Sequence, residues 1–279
     1  MQLLAKDREK KIIHADQASK NINYKCLECD SSVRLRGGLH RRKHFYHILP
    51  NRVCLLSGKS LIHLQTQCHI QNLLPAGEAF LERRFDSINR IADVCWEKEK
   101  IIFEVQCSSI TAEEVKARNR DYKTLGYQVV WILHDLRYNS TRLTEIEIFL
   151  LESPHYYANI DAEGKGNVYD QISWLESSFK RKKGERVFVN LSIFHKIVDS
   201  KIGIRSLKLR ENKWSIYFKG DLLDCGYQKT LSDTQIEQLE KGNYNRRISK
   251  ARLFLQLTYD WIKEGYLNFL NMMIESACR

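Results

Sequence analysis

The 279-residue sequence is poor in the residues that interrupt regular structure, with only 3 prolines and 13 glycines. This shortage excludes a collagen-like chain and a low-complexity linker, which need many of both. Hydrophobic residues make up 43% and charged residues 28%, which is the balance of a globular protein rather than a disordered one. The length allows one large domain or two smaller ones.

Long hydrophobic segments are also missing from the sequence. No run approaches the roughly 18 apolar residues that a membrane helix needs, and the first residues become charged too early for a signal peptide. We therefore expect a cytoplasmic protein without a membrane partner, whose 8 cysteines are thiols or metal ligands rather than disulfides. The sequence has no glycine-rich nucleotide loop and no Ser-His-Asp pattern, so nothing supports ATP use or acyl transfer.

Positive charge is in excess, because 45 Lys and Arg residues against 34 Asp and Glu residues give a net charge of +11. Residues 1–59 have 13 basic and 5 acidic side chains, residues 60–152 have 11 and 14, and residues 153–279 have 21 and 15. The excess therefore lies at both ends of the chain. A surface of this charge favours a polyanionic partner, with nucleic acid as the first candidate, although a merely basic protein would have the same total.

The first candidate metal site lies in residues 1–58, where apolar side chains are few. Cys26 and Cys29 form a Cys-x-x-Cys pair, and His44 and His47 form a His-x-x-His pair. Two thiolates and two imidazoles complete the tetrahedral shell of a structural zinc ion, which would stabilise a segment with a small core. The sequence therefore predicts a zinc-ribbon-like module over residues 1–58.

Two points about this module stay open at the level of the sequence. His40 or Cys54 could replace one of the four ligands. Basic residues between the two ligand pairs, such as Arg34 and Arg36, could contact phosphate or could form a solvated face.

Residues 60–133 have the clearest pattern of secondary structure. Apolar periodicity predicts a helix, then three short strands, then a second helix and a final buried strand. The second helix begins with a capping box and ends at a glycine. The predicted elements are residues 60–74, 79–85, 90–96, 101–107, 111–126 and 127–133.

Beyond residue 155 the pattern is weaker. It predicts strands over residues 186–194 and 213–218, a capping box at Ser232 and Gln235, and helical spacing over 248–274. The basic run 179–186 is interpreted as a solvated loop. We predict an α+β (α/β) protein of three parts: the zinc module 1–58, a nuclease-like domain 59–152 with the order α-β-β-β-α-β, and a partly helical C-terminal domain 153–279.

The second candidate site consists of Asp93 and Glu104, which lie on consecutive predicted strands. Neighbouring antiparallel strands bring such carboxylates together, and their oxygens suit Mg²⁺ or Mn²⁺. Alternation along the strand places Gln106 on the same face as Glu104. An acidic side chain in an apolar strand is costly unless it is paired or metal-bound. The alternative is a structural ion pair of Glu104 with Arg90 or Arg118.

The arrangement of these motifs resembles the core of PD-(D/E)xK nucleases, which have a restriction-endonuclease-like fold. Residues 24–135 resemble the competence protein CoiA-like family more closely. The resemblance rests on the segments CLEC, HFYH, SLIH, RIADV, FEVQCS and GYQVVWIL, in this order. It implies a metal-dependent nuclease fold with a role in bacterial transformation and recombination. DNA, including single-stranded or branched DNA, and recombination proteins are the partners implied.

Carried over by position, the resemblance makes Asp93 and Glu104 the ligands of a catalytic Mg²⁺ or Mn²⁺. Gln106 takes the place of the nuclease lysine, where it could orient a water or a phosphate but could not act as a cationic acid. Glu82, on the first strand, is a candidate for a further catalytic carboxylate. Gln67 stands where the family has a lysine, which weakens a phosphate-neutralising role for that position.

Three further residues are candidates for substrate binding. Arg118 and Tyr122 lie one turn apart on the second predicted helix, and His63 belongs to the SLIH segment. Packing in the core is an equal alternative for Tyr122. The leading hypothesis is a metal-dependent deoxyribonuclease, and the alternative is a non-catalytic DNA-binding accessory protein for recombination or DNA uptake.

Overall fold

The computed structural model describes residues 1–38, 41–51, 54, 56–175, 180–198 and 202–241. Within these residues the chain forms sheets of five, seven and two strands with short helices packed against them. This mixed α and β architecture confirms the predicted fold class. The helical spacing predicted over residues 248–274 lies outside the described residues.

The five-stranded sheet is built from the N-terminal residues, in the order β2-β1-β3-β4-β5. In β4, Val33 and Leu35 are buried while Arg34 and Arg36 are exposed, so one face of the sheet covers a small core and the other meets solvent. The strands are β1 (Leu4–Lys6), β2 (Ile12–His14), β3 (Asn23–Lys25), β4 (Ser32–Gly38) and β5 (Arg41–His47).

The next elements reproduce the predicted order α-β-β-β-α-β. Strands β6, β7 and β8 form an antiparallel meander, and α2 then crosses over so that β9 pairs in parallel with β8. The elements are α1 (Leu61–Leu73), β6 (Ala79–Phe85), β7 (Arg90–Trp96), β8 (Ile101–Gln106), α2 (Ala112–Thr124) and β9 (Gln128–His134).

Strands β8 and β9 are almost wholly apolar because both faces of the sheet are covered. Phe103 and Val130 belong to the core on one face, which includes residues of α1. Ile102 and Trp131 belong to the core on the other face, which includes Val115 of α2. Glu104 is therefore an acidic side chain in a buried strand, at 2% exposure.

The seven-stranded sheet continues beyond residue 152. Its order is β12-β11-β10-β9-β8-β7-β6, with β10 (His155–Ala158), β11 (Val168–Leu175) and β12 (Arg181–Phe188). Strands on both sides of the proposed domain boundary thus belong to one sheet, and the three-domain division stays a prediction. The interpretation of the basic run as a loop is wrong, because most of it forms β12, an edge strand on which lysine side chains can reach water.

The remaining described elements are short helices and a two-stranded sheet. Ser232 and Gln235 form the predicted capping box, with Gln235 N donating to Ser232 Oγ and Ser232 N donating to Gln235 Oε1. A helix follows and is described up to residue 241. Among the described residues, none of the helices is both long enough and apolar enough to span a membrane. The other elements are α3 (Glu145–Leu150), β13 (Asn190–Lys196), α4 (Arg205–Glu211), β14 (Ile216–Lys219) and α5 (Leu222–Tyr227).

A buried ion pair joins the edge strand β12 to helix α3. Arg181 Nη2 lies 2.8 Å from Glu147 Oε1, with side-chain exposures of 2% and 0%. We expect Arg181→Met to lower the free energy of unfolding by about 3 kcal/mol, because it leaves Glu147 buried without its cation. Urea denaturation checks this. Arg186→Met on the same strand is the control and should cost less than about 1 kcal/mol, since its pair with Asp135 is exposed.

The double variant Arg181→Met/Glu147→Leu separates the ion pair from packing. It should lose less stability than the sum of the two single variants, because neither charge is then left unpaired. Strict additivity of the two single losses would contradict this account of β12.

Candidate zinc cluster and nuclease-like active site

Four side chains of the N-terminal part form a cluster that could hold a zinc ion. One ligand atom from each of Cys26, Cys29, His47 and Cys54 lies within 4.8 Å of all the others. The Cys26 and Cys54 sulfurs are 3.6 Å apart, and Cys29 Sγ is 3.3 Å from His47 Nε2. Three thiols and one imidazole are a known structural set for tetrahedral zinc.

The cluster corrects one predicted ligand. His44 lies outside it, and Cys54 takes its place, which is one of the two substitutions that the sequence left open. His44 and His47 are three residues apart in β5, so strand alternation directs them to opposite faces. The imidazole of His44 instead hydrogen-bonds the carbonyl of Arg42 at 2.9 Å.

The thiols of this cluster differ in how readily they ionise. Partial burial raises the pKa of Cys29, but hydrogen bonds from Ser31 and His47 outweigh it and lower the pKa to about 6. Burial, with the neighbouring Cys26, raises the pKa of Cys54 to about 12. Zinc binding must displace the Cys54 proton, so zinc affinity should increase with pH.

The second predicted site forms a cavity of about 470 Å³ where β7 begins and β8 ends in the large sheet. Helix α1 begins beside it, because the Ser60 hydroxyl caps the helix by accepting from His63 N at 3.1 Å. Strands β7 and β8 and helix α2 supply the rest of the wall. Five sequence-predicted residues line the cavity, namely His63, Asp93, Glu104, Gln106 and Arg118.

The carboxylate of Asp93 is the most heavily bonded group in this cavity. Its Oδ1 accepts from Lys59 Nζ at 2.8 Å, from His63 Nε2 at 3.0 Å and from Gln67 Nε2 at 2.7 Å. Its Oδ2 accepts from the backbone N–H of Val105 at 2.9 Å. Burial alone would raise the pKa of Asp93, but the charges of His63 and Lys59 hold it well below the usual range. Asp93 is therefore negatively charged, and Lys59 and His63 are the basic side chains that contact it.

Glu104 accepts one hydrogen bond of normal geometry, and its carboxylate also interacts with the buried hydroxyl of Tyr122. Its Oε2 accepts from Arg118 Nη1 at 2.7 Å, which is one of the two ion pairs that the sequence offered as the alternative to a metal. Arg90 instead pairs with Glu114 and Asp121. Among the described residues, Glu104 Oε1 is buried and has no hydrogen-bond partner of normal geometry. Burial raises the pKa of Glu104 to about 7 despite the charge of Arg118.

The two glutamines at lysine positions have different surroundings. Gln106 lines the cavity, but its amide nitrogen donates to Ser108 O at 2.8 Å and to Ser108 Oγ at 3.3 Å. Gln67 is fully buried in α1 and donates to the carboxylate of Asp93. The amide of Gln67 therefore hydrogen-bonds a carboxylate inside the protein. The lysine that the family has at this position is expected to neutralise a phosphate.

Lys59 also lines the cavity, although no sequence motif pointed to it. Its ammonium lies 2.8 Å from Asp93 Oδ1 and 3.4 Å from Glu82 Oε1, and its side chain is 11% exposed. Burial opposes its charge, but the two carboxylates raise its pKa, so it is a cation. In the sequence, Lys59 is marked only by its position directly before Ser60, the residue that caps helix α1.

Two predicted site residues do not line the cavity. Tyr122 is buried at 0% exposure and packs edge-on against Phe85, with ring centroids 5.8 Å apart. This ring packing fits the core alternative, but the Tyr122 hydroxyl also interacts with the carboxylate of Glu104. Glu82 is buried at 3% exposure and directs both carboxylate oxygens to Lys59 and to the backbone of β1.

The fold and the site combine an α-β-β-β-α-β core with two acidic residues on adjacent strands. Residues 59–161 match the family described as competence protein CoiA, nuclease-like domain. The match confirms the resemblance found in the sequence: this part of the chain is similar to the CoiA nuclease-like domain. A search of the curated proteins finds no match to this chain, and a search of the solved structures finds none either.

The cluster geometry makes a prediction about zinc. Protein purified in the presence of zinc should bind one ion per chain, measured by elemental analysis. Cys54→Ser and His47→Ala should each weaken zinc binding at least tenfold, since each removes one of the four ligand atoms. His44→Ala is the matched control and should retain the ion. Zinc loss in His44→Ala with full zinc in Cys54→Ser would restore the ligand set expected from the sequence.

Proposed function

We propose that this protein is a metal-dependent deoxyribonuclease, or a nuclease-fold DNA-processing factor, that acts on phosphodiester bonds. One observation carries the proposal: Asp93 and Glu104, two acidic residues on adjacent strands, line the same cavity. Two buried carboxylates at one site repel each other when both are charged, and a bound cation would offset that repulsion.

The residues of the cavity fit a hard divalent cation. Asp93 and Glu104 would hold Mg²⁺ or Mn²⁺ through carboxylate oxygens, which these ions prefer. Such an ion, when bound, lowers the pKa of a water ligand and polarises a phosphoryl oxygen. Three thiols and an imidazole are the softer set, so we assign zinc to the N-terminal cluster and the hard cation to the cavity.

Positive side chains of the cavity would bind and orient the phosphate. Arg118, fixed by Glu104 and Glu114, directs a guanidinium along the wall of the cavity. Lys59 supplies an ammonium beside Asp93, which the neutral amide of Gln106 cannot supply. These groups would stabilise the negative charge that develops on the phosphate during phosphoryl transfer.

DNA is the proposed substrate because the chain has a net charge of +11 and a CoiA-type domain. A role in transformation or recombination, recombination proteins as partners and a cytoplasmic location follow from the family and belong to this proposal. The basic N-terminal module would add affinity for phosphate next to the cavity.

A non-catalytic DNA-binding accessory protein is the second candidate. It is favoured by the hydrogen bonds of Asp93, whose two oxygens already accept from four protein donors. A carboxylate used in this way could serve only to organise the fold. The amide nitrogen of Gln106 also donates to Ser108, just beyond the end of the same strand, so it is not free to bind a substrate.

A cleavage assay separates the two candidates. The protein is incubated with single-stranded, double-stranded and branched DNA and with Mg²⁺ or Mn²⁺, beside Asp93→Asn and Glu104→Gln. We expect cleavage by the parent and a loss of at least about 100-fold in each variant, because each loses a charged metal ligand. DNA binding without cleavage by the parent would establish the accessory role instead.

The role of Lys59 has its own prediction. Lys59→Met should lower the cleavage rate about 100-fold, since it removes the cation beside Asp93. It should also increase the stabilisation of the protein by Mn²⁺, measured as a shift in Tm, because the metal no longer competes with the ammonium for the carboxylates. Gln106→Ala is the control, and a smaller loss in Lys59→Met than in Gln106→Ala would disprove the assignment.

A further inference from the structure

Glu82 connects two parts of the chain that are far apart in sequence. Its Oε2 accepts from the backbone N–H groups of Leu3 at 3.1 Å and Leu4 at 3.3 Å. Its Oε1 accepts from Lys59 Nζ at 3.4 Å. Both oxygens therefore have protein donors, as those of Asp93 do, but Glu82, unlike Asp93, is not among the residues that line the cavity. Glu82 is therefore poorly placed to bind a metal in that cavity.

The backbone of β6 is distorted at this residue. Glu82 has φ 49°, a left-handed conformation that is unfavourable for a residue with a Cβ. Leu81 and Glu82 are both buried, so the alternation of the strand is broken there. A strained backbone conformation of this kind persists only where several surrounding contacts hold it in place. Here the three donors to the carboxylate supply that constraint.

Both donor groups of Glu82 are tied to the zinc cluster. On one side, the Gln2 side chain contacts Cys26, with 3.2 Å between its Oε1 and Cys26 Sγ, and Gln2 lies directly before Leu3 and Leu4. On the other side, Lys59 follows the cluster residue Cys54 by five positions, with Leu56 buried between them.

A second contact joins the cluster to β6 itself. Glu28, which lies between the first two cysteines of the cluster, forms an ion pair with Arg84 of β6. Arg84 is two residues beyond Glu82. The cluster thus reaches the strand of Glu82 directly, as well as through β1 and through the segment that leads to Lys59.

We propose that Glu82 is a positioning residue, which holds Lys59 against Asp93 and fixes that arrangement to the zinc-binding module. This inference rests on the proposed function and assigns to Glu82 a role other than that of a third metal-binding carboxylate. The N-terminal module then acts on the nuclease-like site through Lys59, without contributing a ligand to its metal.

The test compares Glu82→Gln with the parent, with Asp93→Asn and with Glu97→Gln as the matched control. Glu97 directly follows β7, in the turn that leads to β8, and pairs with Arg83 in an exposed position. Three quantities are measured: Mn²⁺ affinity by calorimetry, kcat and KM on DNA, and the rate at which an amine-reactive reagent modifies Lys59, followed by mass spectrometry.

We expect Glu82→Gln to keep its Mn²⁺ affinity within about threefold of the parent, while Asp93→Asn loses it. The kcat should fall at least tenfold with KM unchanged, since Lys59 is present but no longer held in place. Lys59 should be modified several times faster in Glu82→Gln, and Glu97→Gln should match the parent in all three quantities.

Two results would overturn the proposal. Loss of Mn²⁺ binding in Glu82→Gln, as in Asp93→Asn, would make Glu82 a ligand, and unchanged kcat and Lys59 modification would remove its positioning role. If the parent cleaves no DNA, the proposed function fails, while Mn²⁺ affinity and Lys59 modification still decide the role of Glu82. Hydrogen exchange on the parent needs no variant: the Leu3 and Leu4 amides should exchange slowly, and fast exchange at both would contradict the contact.

Discussion

The buried carboxylate of Asp93 is the group around which the nuclease-like domain is organised. A bare carboxylate in such a place would be protonated or would destabilise the fold. Here the start of α1 and the neighbouring strand β8 provide its donors, and so both are fixed relative to β7. The side chains that keep Asp93 charged are also the walls of the cavity, which means that the fold and the site depend on the same contacts.

Glu104, one strand away, has the opposite electrostatic character. Arg118 is its cationic partner, and burial raises its pKa to about 7, whereas the pKa of Asp93 lies well below the usual range. Two carboxylates whose environments separate their pKa values in this way are a common feature of active sites. The contrast is the reason why we propose a divalent ion for this cavity.

Much of the nuclease-like domain could be predicted from the sequence, because its signals are local. The capping residue Thr111, the alternation around Glu104 and the apolar run of β9 each act over a few neighbours, and the order α-β-β-β-α-β followed from them. The choice between Arg90 and Arg118 as the partner of Glu104 could not be made, since both lie at a suitable distance along the chain and only the fold separates them.

The remaining features depend on contacts between distant residues. Cys54 replaces His44 because strand alternation in β5 and the path of the chain after it decide which ligand reaches the cluster. Lys59 stands just outside a helix, where periodicity says nothing about a side chain. The basic residues of β12 suit an edge strand, where charged side chains reach water. The few hydrophobic residues of this segment could not distinguish a strand from a loop.

The contact between Glu82 and Leu3 spans 79 positions of the chain and therefore has a consequence for the order of folding. The hairpins of β6, β7 and β8 close over a few residues each, so they can form early, whereas closing a long loop has a larger entropic cost. During synthesis the first strand leaves the ribosome long before its acceptor exists. The contact between the N-terminal strand and Glu82 can form only after β6 has been synthesised, so the docking of the N-terminal sheet on β6 is not among the contacts that can form first.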